Sequence, residues 1–202
     1  MDNNDNRQRF ITLLRNTGRE NIEYVIEDLT EGGFFSSPAS CQGHGAFAGG
    51  LLEHSLNVYD AAMALRRDMI QARPDLEADM PEDSVAIATL LHDVCKMELY
   101  QLSKRKKRNE IGAYETVEQY EIHDEIFPFG HGEKSAVMLL RSGLDLSDEE
   151  LCAIRWHMGP WNLSGDDEKF YRRAGRNTPL VPLVHAADTI ASAILERPAK
   201  SL

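Results

Sequence analysis

The stretch VAIATLL at residues 85–91 is apolar at almost every position and ends abruptly in His92-Asp93. A run this apolar belongs in a core, and its alanine content favours a buried helix over a strand. A chain that drives such a helix into an imidazole and a carboxylate must meet both with partners, because a buried ionisable group left alone costs several kcal/mol. The same pattern recurs elsewhere. His54 sits in GGLLEHSLNV, His131 opens GHGEKS, His157 closes RWHMG and Asp188 lies in VHAADTIAS. Each interrupts or borders the apolar face of a separate helical segment. Faces that pack together bring these groups to one place in the core, and a shared metal ion satisfies all of them at once. Taken singly, each has a plainer account: a hydrogen-bonded core histidine, or for Asp188 a turn cap or a partner of His185 three residues earlier.

The fold class expected from the periodicity is all-α. Phe10, Ile11 and Leu14, then Ile22, Val25, Ile26 and Leu29, recur at helical spacing over 5–30 with a break near Gly18. Gly32-Gly33 ends that pattern and FFSSPAS reads as a loop. A long amphipathic helix is predicted over 47–72 and an exposed connection over 74–83. Further helices are predicted over 132–142 and 148–158, the second opened by a Ser147/Glu150 capping box. The last apolar helix runs over 180–195 between Pro179/Pro182 and Pro198. The polar, glycine-containing segment 160–178 reads as a loop. Residues 100–130 differ, because the basic run 104–108 is followed by alternating and aromatic sequence around Tyr114, Tyr120, Ile122, Ile126 and Phe127. That pattern suggests an extended excursion or hairpin, closed by Pro128 and Gly130. The expected organisation is a single domain over 1–202, with its core at about 40–195 and an N-terminal helical extension over 1–35.

Composition narrows the function. With 202 residues, 42% apolar and 27% charged, the chain suits one soluble core and is not a disordered or fibrous sequence. No run approaches 18 consecutive apolar residues, so no membrane partner is expected. The polar start MDNNDNRQRF lacks an apolar signal core, and Cys41, Cys95 and Cys152 fit neither a disulfide framework nor a zinc ribbon, so a reducing cytoplasm is the expected location. The net charge of −11 argues against coating nucleic acid non-specifically. Phosphate-bearing substrates stay open, since a metal or a local basic cluster inverts the field inside one cleft.

The order of these residues, a His, then a His-Asp pair, then an Asp, resembles the HD-domain metal-dependent phosphohydrolase superfamily, with His54, His92, Asp93 and Asp188 as the implied ligands. His131 and His157 match the subset with two extra histidines between the pair and the last Asp. GGLLEHSL, with His44 upstream, is similar to the HD domain attached to certain bacterial 3′-to-5′ exoribonucleases, and LLHDVCK resembles the family's His-Asp-Ile-Gly-Lys. Cys95 stands where many members have glycine and is expected to pack as a small apolar side chain. The resemblance implies an HD-domain helical bundle around one or two divalent transition-metal ions. Mn, Fe, Ni, Co or Zn suits mixed His/Asp ligation better than Ca does. In this scheme Asp93 bridges two ions, His54, His92 and Asp188 hold the first, and His131 and His157 hold the second.

The implied activity is hydrolysis of a phosphate ester, a nucleotide or a related phosphomono- or diester, by metal-activated water. Lys96 is implied to lean a cation towards the phosphate; read from the residues alone it is equally a surface lysine at a helix C-terminus. Lys134 is a second candidate phosphate ligand beside the reading of a solvated helix lysine, and His44 is a candidate substrate contact. Trp156 and Trp161 read as core more than as stacking platforms. The basic run reads more as a solvated hairpin tip than as a guide for polyanions. With no second domain expected, a small phosphorylated substrate is favoured over nucleic acid as the partner. A di-iron oxygenase of the same superfamily and a non-catalytic regulatory module are the competing readings.

Overall fold

In the computed structural model, which describes residues 3–109, 111–123, 127, 129–161 and 163–197, the N-terminal periodicity becomes two helices, α1 (Asn3–Asn16) and α2 (Ile22–Glu31), separated by a turn at Gly18. Phe10 of α1 meets Phe34 and Phe35 of a short 3-10 turn (Phe34–Ser36), with ring centroids 5.1 and 5.7 Å away. These helices join the main core, which also takes in Leu51, Leu52, Ile87, Leu90, Ile154 and Val184.

Four long-range packings position the functional groups. Helix α3 (Gly50–Ala72) lies against α4 (Glu82–Leu90) and against α8 (Leu180–Ile190), whose end continues as a π-helical turn (Ala191–Leu195). Helix α6 (Asp148–Trp156) lies against α8 and α5 (His131–Arg141). Two glycines permit the closest approaches. A Cβ at Gly50 would stand 2.1 Å from the Gly45 carbonyl oxygen, and one at Gly132 would stand 2.4 Å from the Arg155 carbonyl oxygen. No side chain fits either gap, so the loop carrying His44 reaches the start of α3, and the start of α5 reaches the end of α6. The Ser147/Glu150 capping box is present, with both reciprocal bonds made.

The excursion is an antiparallel hairpin of β1 (Tyr100–Arg108) and β2 (Tyr114–Ile122), in register from Tyr100 opposite Ile122 to Arg108 opposite Tyr114. Ile126 and Pro128 lie outside the described residues, as does Pro198. The basic run occupies strand β1 and not the turn, where the Asn109 N–H donates to the Ala113 carbonyl at 2.9 Å. Lys104 faces Glu118 at 3.4 Å and Arg105 pairs with Glu121. Its charge is matched across the ladder by the acidic residues of β2.

One segment departs from the sequence reading. Residues 165–177, expected as loop, form α7 (Gly165–Asn177). This helix has no buried residue and carries its charges in helical order: acids in the first turn, Arg176 in the last, and Lys169–Asp166 and Arg172–Glu168 pairs along it. It lacks the apolar stripe on which the periodicity argument depends. The connection 74–83 is exposed as expected except at Met80, which is fully buried and whose carbonyl accepts from Arg66 at 2.6 Å. No single helix among the described residues is long and apolar enough to cross a membrane.

Candidate metal centre

Both α4 and α6 end in the same local device. At a helix C-terminus the last carbonyls have no intrahelical donor. His92 Nδ1 donates to the Thr89 carbonyl at 2.7 Å, and His157 Nδ1 donates to the Ile154 carbonyl at 2.7 Å, each three residues back. A carbonyl accepts only, so each ring carries its proton on Nδ1 and points an Nε2 lone pair inward. His54, on α3, reaches the same state differently, with Nδ1 3.0 Å from Glu196 Oε1.

The three Nε2 atoms converge on carboxylates. His54 Nε2 lies 3.2 Å from Asp188 Oδ1 and 3.8 Å from Asp93 Oδ2, His92 Nε2 lies 3.2 Å from Asp93 Oδ2, and His157 Nε2 lies 3.4 Å from Asp93 Oδ1. All three Nε2 atoms and Asp93 Oδ1 are buried, and none makes a hydrogen bond of acceptable geometry. A lone pair held against a carboxylate oxygen is repulsive until a proton or a cation lies between them. Asp93, Asp188 and Glu196 set three carboxylates around these imidazoles, and Lys96 Nζ is 2.6 Å from Asp93 Oδ2. Such a set of buried carboxylates needs cationic partners, protons on the imidazoles or a metal ion. His54, His92 and Asp93 form one group of convergent ligand atoms, and His92, His157 and Asp188 form a second. The imidazole and carboxylate donors fit a divalent transition metal.

The electrostatics of the centre follow from the same contacts. Burial alone would raise the Asp93 carboxyl, but the nearby Lys96 and His92 outweigh it and hold the group well below the usual carboxylate range. Asp188, also buried, is held down to about 2 chiefly by His54. Burial disfavours charge on His54, yet Asp188 and Glu196 overcome this and lift the imidazole to about 9. An ion entering here displaces that proton.

The other candidates fall at differing distances. His131 comes into ligand range of Asp93 and Cys95. The His44 ring stands 5.9 Å from that of His54, at the edge of the centre. Lys96 is buried and is no surface lysine at a helix end. Lys134 is buried as well, 3.6 Å from Glu98 Oε2, and lines a cavity of about 430 Å³ with Val94, Met97 and Glu98. Trp156 packs against Tyr171 in the core, whereas Trp161 is 72% exposed. His185 does not bond Asp188; it donates to the His157 carbonyl at 2.8 Å and braces that ligand from behind.

Sequence reasoning missed Glu196. It lies past the last apolar helix in LERPAK, where a charge reads as solvated, yet its side chain is 5% exposed and binds both His54 and Asn57. Only the π-helical turn, which rotates the chain back towards α3, brings it there, and that turn has no signature in the sequence. Glu196→Ala is expected to weaken metal binding by about 10- to 100-fold, as removal of an orienting partner does. Competition with a chelator of known affinity measures this.

The helical bundle thus gathers imidazoles and carboxylates from separate helices at one buried centre that could hold a metal ion. The HD domain family model matches residues 51–193, which include His54, His92, Asp93, His131, His157 and Asp188, and the chain belongs to the HD-domain family. No curated protein and no solved structure matches the chain.

Proposed function

We propose that the protein is a metal-dependent phosphohydrolase acting on a small phosphate ester, a nucleotide or a related phosphomono- or diester. The observation that carries this reading is the convergence of three buried imidazole Nε2 atoms and Asp93 Oδ1 with no hydrogen bonds of their own. A divalent transition metal held by His54, His92, Asp93 and Asp188, with His157 grouped beside His92 and Asp188 and His131 available for a second ion, would supply a Lewis acid and a water acidified to a pKa of about 7. The chain's own groups do the remaining work. Thr89, Ile154 and Glu196 hold the imidazoles in the ligating tautomer. Lys96 fixes Asp93 and carries positive charge towards the substrate phosphate, Lys134 offers a second ammonium, and His44 meets the substrate at the edge of the centre. The acidic surface, net −11, favours a small substrate over a polyanion. The three cysteines are free thiols, in keeping with a reducing cytoplasm.

Element-resolved mass spectrometry of the gently purified protein is the first test, followed by assays on a chromogenic phosphomonoester and phosphodiester. About one to two equivalents of a transition metal per chain is expected, with hydrolysis that chelation abolishes and the same metal restores. Failure to retain metal after reconstitution with Mn²⁺ and Fe²⁺ overturns the reading. Iron accompanied by oxygen consumption, without hydrolysis, moves the centre to oxygen chemistry.

A further inference from the structure

We propose that Asp93, Cys95 and His131 form a second cation site in which the Cys95 sulfur is itself a ligand, selecting a thiolate-accepting ion such as zinc, cobalt(II) or iron(II). The proposal rests on the reading that the neighbouring His/Asp set holds metal. One ligand atom from each of the three residues lies within 4.8 Å of the others. Asp93 and Cys95 are two residues apart, at the start of the 3-10 turn Val94–Glu98, and both are buried. Helix α5, which His131 opens, packs on that turn. The Cys95 N–H donates to Ser135 Oγ on the same helix at 3.3 Å, so the relative placement of sulfur and imidazole is tied by the backbone. Asp93 Oδ1 is buried without a hydrogen bond, and Asp93 belongs to both clusters.

Packing alone accounts for the burial of Cys95. It does not account for the convergence of a carboxylate and an imidazole on its sulfur. A divalent cation bound there takes the sulfur as a thiolate, the thiol proton passing to solvent. Sulfur ligation shifts the choice of ion away from the hard cations magnesium and calcium.

Cobalt titration followed by absorption spectroscopy decides the matter. Wild-type protein loaded with Co²⁺ is expected to show a near-ultraviolet thiolate-to-cobalt charge-transfer band in addition to visible ligand-field bands. Cys95→Ala and Cys95→Ser are expected to lose the charge-transfer band and to bind the later-filling Co²⁺ about tenfold more weakly or worse, while the ligand-field absorption of the ion at the His/Asp set persists. The double variant Cys41→Ala/Cys152→Ala keeps the band, so the assignment does not depend on how well a Cys95 variant folds. Ligand-field bands without a charge-transfer band in wild type, or loss of the band in the double variant, overturn the proposal and leave the first centre intact. No cobalt absorption of either kind overturns the metal-centre reading, and this one with it.

Discussion

Asp93→Ala is expected to lower kcat/KM for phosphate-ester hydrolysis by about 10³-fold or more, with loss of bound metal in parallel. Asp93 touches more of the centre than any other residue described. One oxygen is shared among His54, His92 and Lys96, and the other faces His157. Its removal deletes a ligand to the ion and releases the ammonium that it holds. Metal stabilisation of transition-state charge amounts to several kcal/mol; about 4 kcal/mol corresponds to three decades in rate. His92→Ala is expected to fall as far. His123→Ala, an exposed position beyond strand β2, is expected to stay within about twofold of wild type. Steady-state kinetics with metal analysis on the three variants checks this, and equal activity in all three removes the assigned centre.

The second large effect concerns stability. Arg19, in the turn between α1 and α2, bonds Asp83 at 3.0 Å and pairs with the fully buried carboxylate of Glu150, 131 residues away. Breaking a buried pair by removing one partner costs about 3–5 kcal/mol, because the remaining charge is stranded. Glu150 keeps the Ser147 N–H at 3.0 Å, so Arg19→Met is expected near the lower end, about 3 kcal/mol. Denaturant unfolding reads it as a lower midpoint at unchanged slope. Arg19→Met/Glu150→Gln is expected to recover part of the loss, since the stranded charge is then gone. A loss below about 1 kcal/mol in the single variant would mean that the pair is worth no more than a surface bridge.

The parts of the fold that bury an apolar stripe were legible in the sequence. The helices at α1–α2, α3, α5 and α6, the capping box at Ser147 and the apolar run into His92-Asp93 all follow from periodicity and cap chemistry. The five segments that carry the candidate ligands were legible for a related reason, since several ionisable residues set against separate apolar helix faces have few plain joint explanations. Helix α7 was not legible, because only Tyr171 and Ala174 pack partly against the core while the rest of its surface is solvated and charged. The basic run was placed at a tip and lies in a strand, because only the register with Glu118 and Glu121 shows that its charges are paired. Glu196 and the backing role of His185 depend on how the end of α8 meets α3 and α6, a tertiary fact that no local pattern carries.

The imidazoles that terminate α4 and α6 have a consequence for metal supply. Because their tautomers are set by hydrogen bonds internal to each helix end, two of the ligands are oriented as soon as the helices form, before any ion arrives. On the proposed reading, first-row ions would compete for these pre-oriented imidazoles in the order of their intrinsic affinities weighted by their free concentrations. The metal found in the protein would then report the ion availability of the compartment in which it folded as much as the ligands themselves.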